Sequence, residues 1–308
     1  MTLNALTIDV EDYFQVSAFE KVSPVSEWDS FQLRVQSNTE KILDSLSEKG
    51  LVATFFVLGW VAQRCPELIK KIAAQGHEIA SHGFGHRRIG ELSRIEFRED
   101  ILSSKKLLED LSGQEVIGYR APSYSITAQT NWAFGELVDA GYHYDSSVFP
   151  IRHDFYGLAD WPRLPFFVEK TQGGGWQPRV DSENGDSQQI FEIPITTIEI
   201  KGKNFPIAGG GYFRLFPYAF TRWGLRRINR KDASPFVFYL HPWEFDPEQP
   251  RFSSAGLKSR FRHYINLQRT EPRFLQLIDD FRFGPLKVVF ADQLKLAKTN
   301  KTIPRGSI

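Results

Sequence analysis

The chain has one cysteine, Cys65, in 308 residues, so a disulfide framework is excluded. It has no surplus charge of either sign: 38 Lys and Arg stand against 37 Asp and Glu, a formal net charge of +1. Without a basic excess, nucleic acid and anionic membrane are not expected partners of the chain as a whole. Long apolar runs are also missing. The richest segment, Leu51 to Ala62, is too short and too interrupted to cross a bilayer. The first residues, Leu3 to Ile8, read as a strand, with no basic region and long apolar stretch of a secretory leader. These absences point to a soluble, cytoplasmic protein. The sequence carries no signal for an oligomeric state.

What is present is a globular composition: 41% apolar, 24% charged and 14% aromatic residues. A chain of this length can form one α/β barrel with a large core. The aromatic share is somewhat high, for which core packing is the expected reading and a sugar-binding cleft the alternative. One structural unit recurs, a helix stopped by glycine and followed by an apolar strand. Ile42, Leu43 and Leu46 mark a helical face that ends at Gly50, before the strand Val52–Val57. Pro66 opens a helix that stops at Gly76, before His77–Ala80. Ser93 and Glu96 form a capping-box pattern for a helix ending at Gly113, and Glu115–Tyr119 follows. Trp132–Ala140 reads as helix, then Gly141 and the strand Tyr142–Tyr144. Alternation of this kind implies a parallel sheet, open or closed into a barrel. Long loops are expected from Ile151 to Ser187, including the polar stretch Asp181 to Gln189. Strands are expected at Ile190–Ile200, Pro235–Leu240 and Leu286–Phe290, with a tight loop at Gly209–Gly211. A polar tail from Lys298 is expected to be disordered.

Chemistry gathers at the strand ends. The first strand ends in Asp9-Val10-Glu11-Asp12, the His77 strand in Ser81-His82-Gly83-Phe84-Gly85-His86 and a third in Arg120-Ala121-Pro122. Another ends in Asp145, and a late one in His241-Pro242-Trp243-Glu244. In a parallel barrel these carboxyl ends converge on one face, where active sites lie. His82 and His86, four apart, can turn both imidazoles to one side and share a metal. A carboxylate from Asp9, Glu11 or Asp12 can complete two histidines and one acid, a set that leaves positions open for water and substrate. Asp9 closes an apolar strand, where a carboxylate is costly unless paired, and Arg120 is a natural partner.

Taken in order, Thr7–Asp12, Ala53–Gly59, Ser81–His86, Arg120–Tyr124 and Leu240–Pro242 resemble the motifs of the NodB-type polysaccharide deacetylases, carbohydrate esterase family four. The resemblance covers roughly Leu3 to Glu244. It is similar to the branch with peptidoglycan-deacetylase-like and allantoinase-like members, and especially to deacetylases of exopolysaccharide gene clusters. These share an Asp9–Phe14 opening (DVEDYF) and a Gly209–Arg214 segment (GGGYFR). The resemblance implies a distorted (β/α) barrel with a C-terminal extension. It implies one deacetylase domain over 1–297, with a core of about 3–245, an extension of about 246–297 and a tail at 298–308.

The same resemblance assigns roles. Asp9 matches the general base, His82 and His86 the metal ligands, Arg120 the arginine that holds the base, and His241 the general acid. Asp145 matches, more loosely, the carboxylate that orients that histidine. The family opening usually has two adjacent aspartates, whereas Val10 and Glu11 separate Asp9 from Asp12 here. Asp12 keeps the residue type and is taken as the third ligand, with Glu11 as the alternative carboxylate. Ser123-Tyr124 replaces the usual Tyr-Gly, and a backbone N–H near these residues is expected to hold the oxyanion. The implied cofactor is a divalent metal, Zn²⁺ first, and the implied partner an amino-sugar glycan or glycan precursor. The same scaffold admits an allantoinase-like or deformylase-like amide hydrolase, and a glycan-binding module without turnover is a further alternative.

Overall fold

The computed structural model describes residues 2–152, 157–179 and 188–299. Its centre is β1 (Leu3–Val10), an apolar strand buried along nearly its whole length, as a strand covered on both faces must be. Strands β2 (Thr54–Val57), β3 (Glu78–Ser81), β4 (Gly118–Tyr119) and β5 (Tyr144–Asp145) follow in parallel on one side. The hairpin of β6 (Phe166–Lys170) and β7 (Trp176–Pro178) runs antiparallel to β8 (Gln189–Glu192), which pairs parallel with β5. A separate hairpin joins β9 (Thr197–Ile200) to β10 (Lys203–Pro206). On the other side of the sheet, β11 (Val237–Leu240) pairs with β1, to which β12 (Arg282–Gly284) also pairs.

The sheet curls toward closure. Past β8 the chain carries Thr196 to β11, where its hydroxyl accepts the Val237 N–H at 2.8 Å. The molecule is thus an α/β fold with a distorted, barrel-like parallel sheet. Between successive strands run the helices α1 (Val35–Glu48), α2 (Gly59–Arg64), α3 (Pro66–Ala74), α4 (Arg94–Ser112) and α5 (Ala133–Asp139). In α4 both halves of the capping box form: Ser93 Oγ accepts from Glu96 N–H, and the Glu96 carboxylate accepts from Ser93 N–H. Gly113 ends that helix at φ 68°, a left-handed conformation that costs glycine little.

Four expected elements differ. The stretch Ile190–Ile200 is two strands, because Pro194 has no N–H to continue a ladder. Residues 151–187, expected as loops, contain β6 and β7. Gly209–Gly211 is not a loop tip but the start of α6 (Gly210–Leu215). Leu286–Phe290, rich in β-branched residues, is a helical turn over Leu286–Val289. There the Leu286 N–H is taken by Thr54 Oγ1 at 2.8 Å and the Lys287 N–H by the buried Glu78 carboxylate at 3.0 Å. These partners satisfy the donors that a helix start leaves open, and they outweigh local propensity. Gln189, expected in the polar stretch, begins β8, and Lys298 and Thr299, expected in the tail, close a helix over Ala291–Thr299, while residues 181–187 and 300–308 lie outside the described residues. No helix among the described residues is long and apolar enough to cross a membrane.

Candidate metal centre and active site

Parallel strands place their carboxyl ends together, and the polar residues of the sequence lie there. Asp9 occupies the penultimate position of β1, opposite Phe56 of β2. Its Oδ1 accepts from Arg120 Nη1 at 2.6 Å, and both side chains are buried. Arg120 is fixed on every side. Nη1 also reaches Thr7 Oγ1 at 2.9 Å, Nε the Ser146 carbonyl at 3.1 Å and Nη2 the Ser146 hydroxyl at 2.9 Å. A buried guanidinium so fully bonded holds its partner carboxylate in one orientation.

Beyond Asp9, Glu11 turns its carboxylate into the same space. Its Oε2 lies 2.7 Å from His86 Nε2 and 4.0 Å from His82 Nε2. One ligand atom from each of Glu11, His82 and His86 lies within 4.8 Å of the other two. His82 Nδ1 sits 2.8 Å from the Arg120 carbonyl. A carbonyl can only accept, so that nitrogen carries the proton and Nε2 presents a lone pair. Burial lowers the His82 pKa to about 4. Burial alone would raise the Glu11 carboxyl, but His86, His241 and His82 outweigh it and hold the acid well below its usual range. The donor set, two imidazole nitrogens and one carboxylate, fits a divalent ion with open positions.

The turn carrying the histidines has its own anchor. Asp100, from the second turn of α4, accepts from Phe84 N–H at 2.8 Å and from Gly85 N–H at 3.3 Å. Gly83 takes φ 74°, and a Cβ there would meet Asp100 Oδ1 at 2.8 Å. His86, Ser123 and Tyr124 bend the other way from normal backbone, at φ 52°, 54° and 53°. Three side-chain-bearing residues in this sparsely populated region border one site, as strain at functional positions does.

Asp12, expected as the third ligand, is placed elsewhere. Its carboxylate accepts the backbone N–H groups of Arg34 (2.7 Å), Val35 (2.8 Å) and Tyr13 (2.9 Å), so it caps the start of α1 rather than facing the histidines. Burial raises its pKa to about 6 against the pull of those donors. The reason is parity: after the bend that follows β1, Glu11 projects inward and its neighbour outward. Asp145 likewise does not reach His241. It accepts from the Ser147 hydroxyl at 2.6 Å and Ser147 N–H at 3.0 Å, and lies beside Glu192. Burial and the charge of Asp145 push Glu192 well above the usual carboxylate range.

The carboxylate beside His241 is Glu244. Its Oε1 lies 2.8 Å from His241 Nδ1 and accepts the His241 N–H at 3.0 Å, and its Oε2 accepts from Arg214 Nε at 2.7 Å. Arg214 comes from α6 and is itself locked onto the His263 and Ile265 carbonyls. His241 Nε2 then points at Asp9 Oδ2 (3.9 Å) and Glu11 Oε1 (3.8 Å). Burial would lower the His241 pKa, yet Glu11, Glu244 and Asp9 together raise it to about 9. Trp243 stacks on His241 with ring centres 5.2 Å apart, and its Nε1 donates to Glu11 at 3.0 Å. Glu244, Arg214 and Asp100 were not singled out for these duties from sequence. A signal for Glu244 existed: an acid three residues after His241, past Pro242, is a capping-box arrangement. At the expected oxyanion position, Tyr124 gives its N–H to the Ala121 carbonyl at 3.0 Å, and the Ser123 hydroxyl is bonded to that of Ser17.

Two family profiles match successive parts of the chain. A polysaccharide deacetylase profile matches residues 24–144, and a profile for a domain of unknown function, DUF3473, matches residues 146–291. Residues 24–144 are thus similar to the polysaccharide deacetylase family. Among curated polysaccharide deacetylases, the chain is 35% identical over 96 residues to a peptidoglycan-N-acetylglucosamine deacetylase of Bacillus cereus, covering 31% of this chain and 35% of that protein. It is 30% identical over 160 residues to a peptidoglycan deacetylase of Helicobacter pylori, covering 50% of this chain and 51% of the relative. A chitooligosaccharide deacetylase of Bradyrhizobium is 30% identical over 91 residues, covering 30% and 42%. The chain thus spans between about a third and a half of these relatives' lengths. Among solved structures, a Mycobacterium smegmatis protein provisionally assigned as a polysaccharide deacetylase superposes with a TM-score of 0.54 at 21% identity, covering 99% of this chain and 92% of that one. The Puue allantoinase superposes equally well at 15% identity, covering 97% and 91%. These two show that the fold is shared.

Proposed function

We propose that the protein is a metal-dependent hydrolase that removes the N-acetyl group from an amino sugar of a polysaccharide, with residues 1–297 acting as one catalytic unit. The observation that carries this reading is the meeting of Glu11, His82 and His86 with Asp9–Arg120 on one flank and His241–Glu244 on the other. The deacetylases among the relatives support the acetyl amide as the bond attacked. The match to DUF3473 supports a substrate of the exopolysaccharide kind.

In this reading Glu11, His82 and His86 hold a divalent ion, Zn²⁺ first by its ligand preference. Bound there, the ion supplies Lewis acidity to the amide carbonyl and to the attacking water. Asp9 Oδ2, the oxygen not held by Arg120, removes a proton from that water. Arg120 fixes the other oxygen and so orients the base. His241 Nε2, on the opposite side, delivers a proton to the leaving nitrogen, while Glu244 and Arg214 hold its ring. Trp243 closes one wall of the space and orients Glu11 through its indole N–H. Acetate and a free amine are the products.

Acetate release from N-acetylated oligosaccharides tests the proposal. Asp9→Asn should retain bound metal and lose ~10²–10⁴-fold or more in kcat, the usual worth of a positioned base. Near-normal turnover of that variant refutes the base assignment. Ring opening of allantoin in place of acetate release would move the protein to the allantoinase-like alternative.

A further inference from the structure

We propose that α6 and α7 (Tyr218–Arg227), in the region matched by DUF3473, carry a binding track for an acidic polysaccharide leading away from the active site. The track begins at the site described above, and its link to catalysis rests on that reading. Tyr239 lies 5.7 Å from His241 between ring centres, in a cluster with Tyr124 and Phe149 on which Tyr212 packs. From Tyr212 the rings continue without a gap: to Phe216 at 6.2 Å, to Phe220 at 5.3 Å and to Trp223 at 5.5 Å. Phe216 and Pro217 are extended between the two helices, so it is the ring-to-ring contacts, and within α7 the i, i+3 spacing of Phe220 and Trp223, that join these side chains into one strip.

That stripe faces solvent. Phe220 is 37% and Trp223 48% exposed, with Leu215 at 45% beside them. Large contiguous apolar surface of this kind marks an interaction site. The face of α7 that carries Thr221, Gly224 and Leu225 is already used: all three are buried, and Gly224 lies against Ile207 and Ile198. Aromatic faces receive the C–H faces of sugar rings, which bury apolar area while the hydroxyl groups stay in water.

Charge specifies the sugar class. A groove of about 530 Å³ beside Trp223 is lined by Arg222, Arg226, Arg227, Arg230 and Lys231. Asp280 pairs with Arg222 and Arg226 together, and Asp232 is turned to Arg163. The groove therefore stays strongly positive in a chain whose net charge is only +1. Clustered cations beside a stacking surface fit a polymer that carries carboxylates as well as pyranose rings. Stacking faces beside a row of cations favour a polymer of charged pyranose rings, and an anionic lipid surface is the alternative that the vesicle arm of the test addresses.

The test uses the full chain and three probes: hyaluronate, which alternates N-acetylglucosamine with a uronic acid, neutral glycol chitin, and phosphatidylglycerol vesicles. Hyaluronate should bind more tightly than glycol chitin and weaken with salt. Phe220→Ala/Trp223→Ala and Arg230→Glu/Lys231→Glu should each weaken it about 10-fold at unchanged melting temperature. Equal binding of hyaluronate by wild type and both variants overturns the track. So does hyaluronate binding no better than glycol chitin, or variant-sensitive binding of vesicles alone. Acetate release from chitotetraose by the unmodified chain tests the site separately. If it is absent while hyaluronate binding is variant-sensitive, the catalytic reading fails and the track stands.

Discussion

Adjacent acids at positions 11 and 12 do unlike work because a bend after β1 turns them to opposite sides. Glu11 faces the histidines and Asp12 faces the N–H groups at the start of α1. Composition could not separate them, since either carboxylate suits a metal and only backbone direction decides. Asp9 and Arg120 were legible because each closes an apolar strand, where a lone charge is too costly to persist. Asp145 satisfied the same pattern and was misleading, for its carboxylate is bonded locally by the Ser147 hydroxyl and N–H instead of reaching His241. Glu244 holds His241 instead, backed by Arg214. Glu244→Gln should therefore keep the fold, the metal and KM, and lower kcat by up to ~10²–10⁴-fold, the share of a positioned acid. Steady-state kinetics with metal analysis on the same sample check this. Unchanged kcat would return His241 to a merely packed residue.

At the level of elements, the helix-glycine-strand unit was readable because its stop signals are local. The capping box of α4 and the glycine that ends it form as their residue types dictate. Elements fixed by distant partners were not readable. Leu286–Val289 becomes helical because Thr54 and Glu78, more than 200 residues earlier, take its first N–H groups. His77, at the junction of α3 and β3, shows the same dependence on a distant strand. Its Nδ1 accepts the Ala53 N–H at 3.1 Å, and burial lowers its pKa from 6.5 to about 4. Between those values the unfolded chain binds a proton that the folded chain refuses. This contribution is thus fully present above about pH 6.5 and is lost as pH falls toward 4, by up to ~3 kcal/mol. His77→Asn keeps an acceptor and cannot titrate, so urea midpoints for that variant should fall less steeply over this window. An identical slope in both proteins would show that His77 is not the group responsible.

Across the whole molecule, three stretches of chain build one site, with Asp9 and Glu11 coming from β1 and its end, ahead of both matched regions. The histidines and Arg120 come from residues 24–144, while His241, Glu244 and Arg214 come from 146–291. They meet because β1 pairs with β2 on one side and β11 on the other. Parallel pairing of this kind brings chemistry from more than 230 residues of chain to one rim, which is why strand ends were the informative part of the sequence. The central claim is that Glu11, His82 and His86 together hold one divalent ion. Elemental analysis of purified wild-type, Glu11→Gln and Asp12→Asn proteins tests it most directly. The account predicts about one ion per chain in the wild type and in Asp12→Asn, and loss of the ion in Glu11→Gln. A Glu11→Gln protein that keeps its metal while Asp12→Asn loses it would contradict the account.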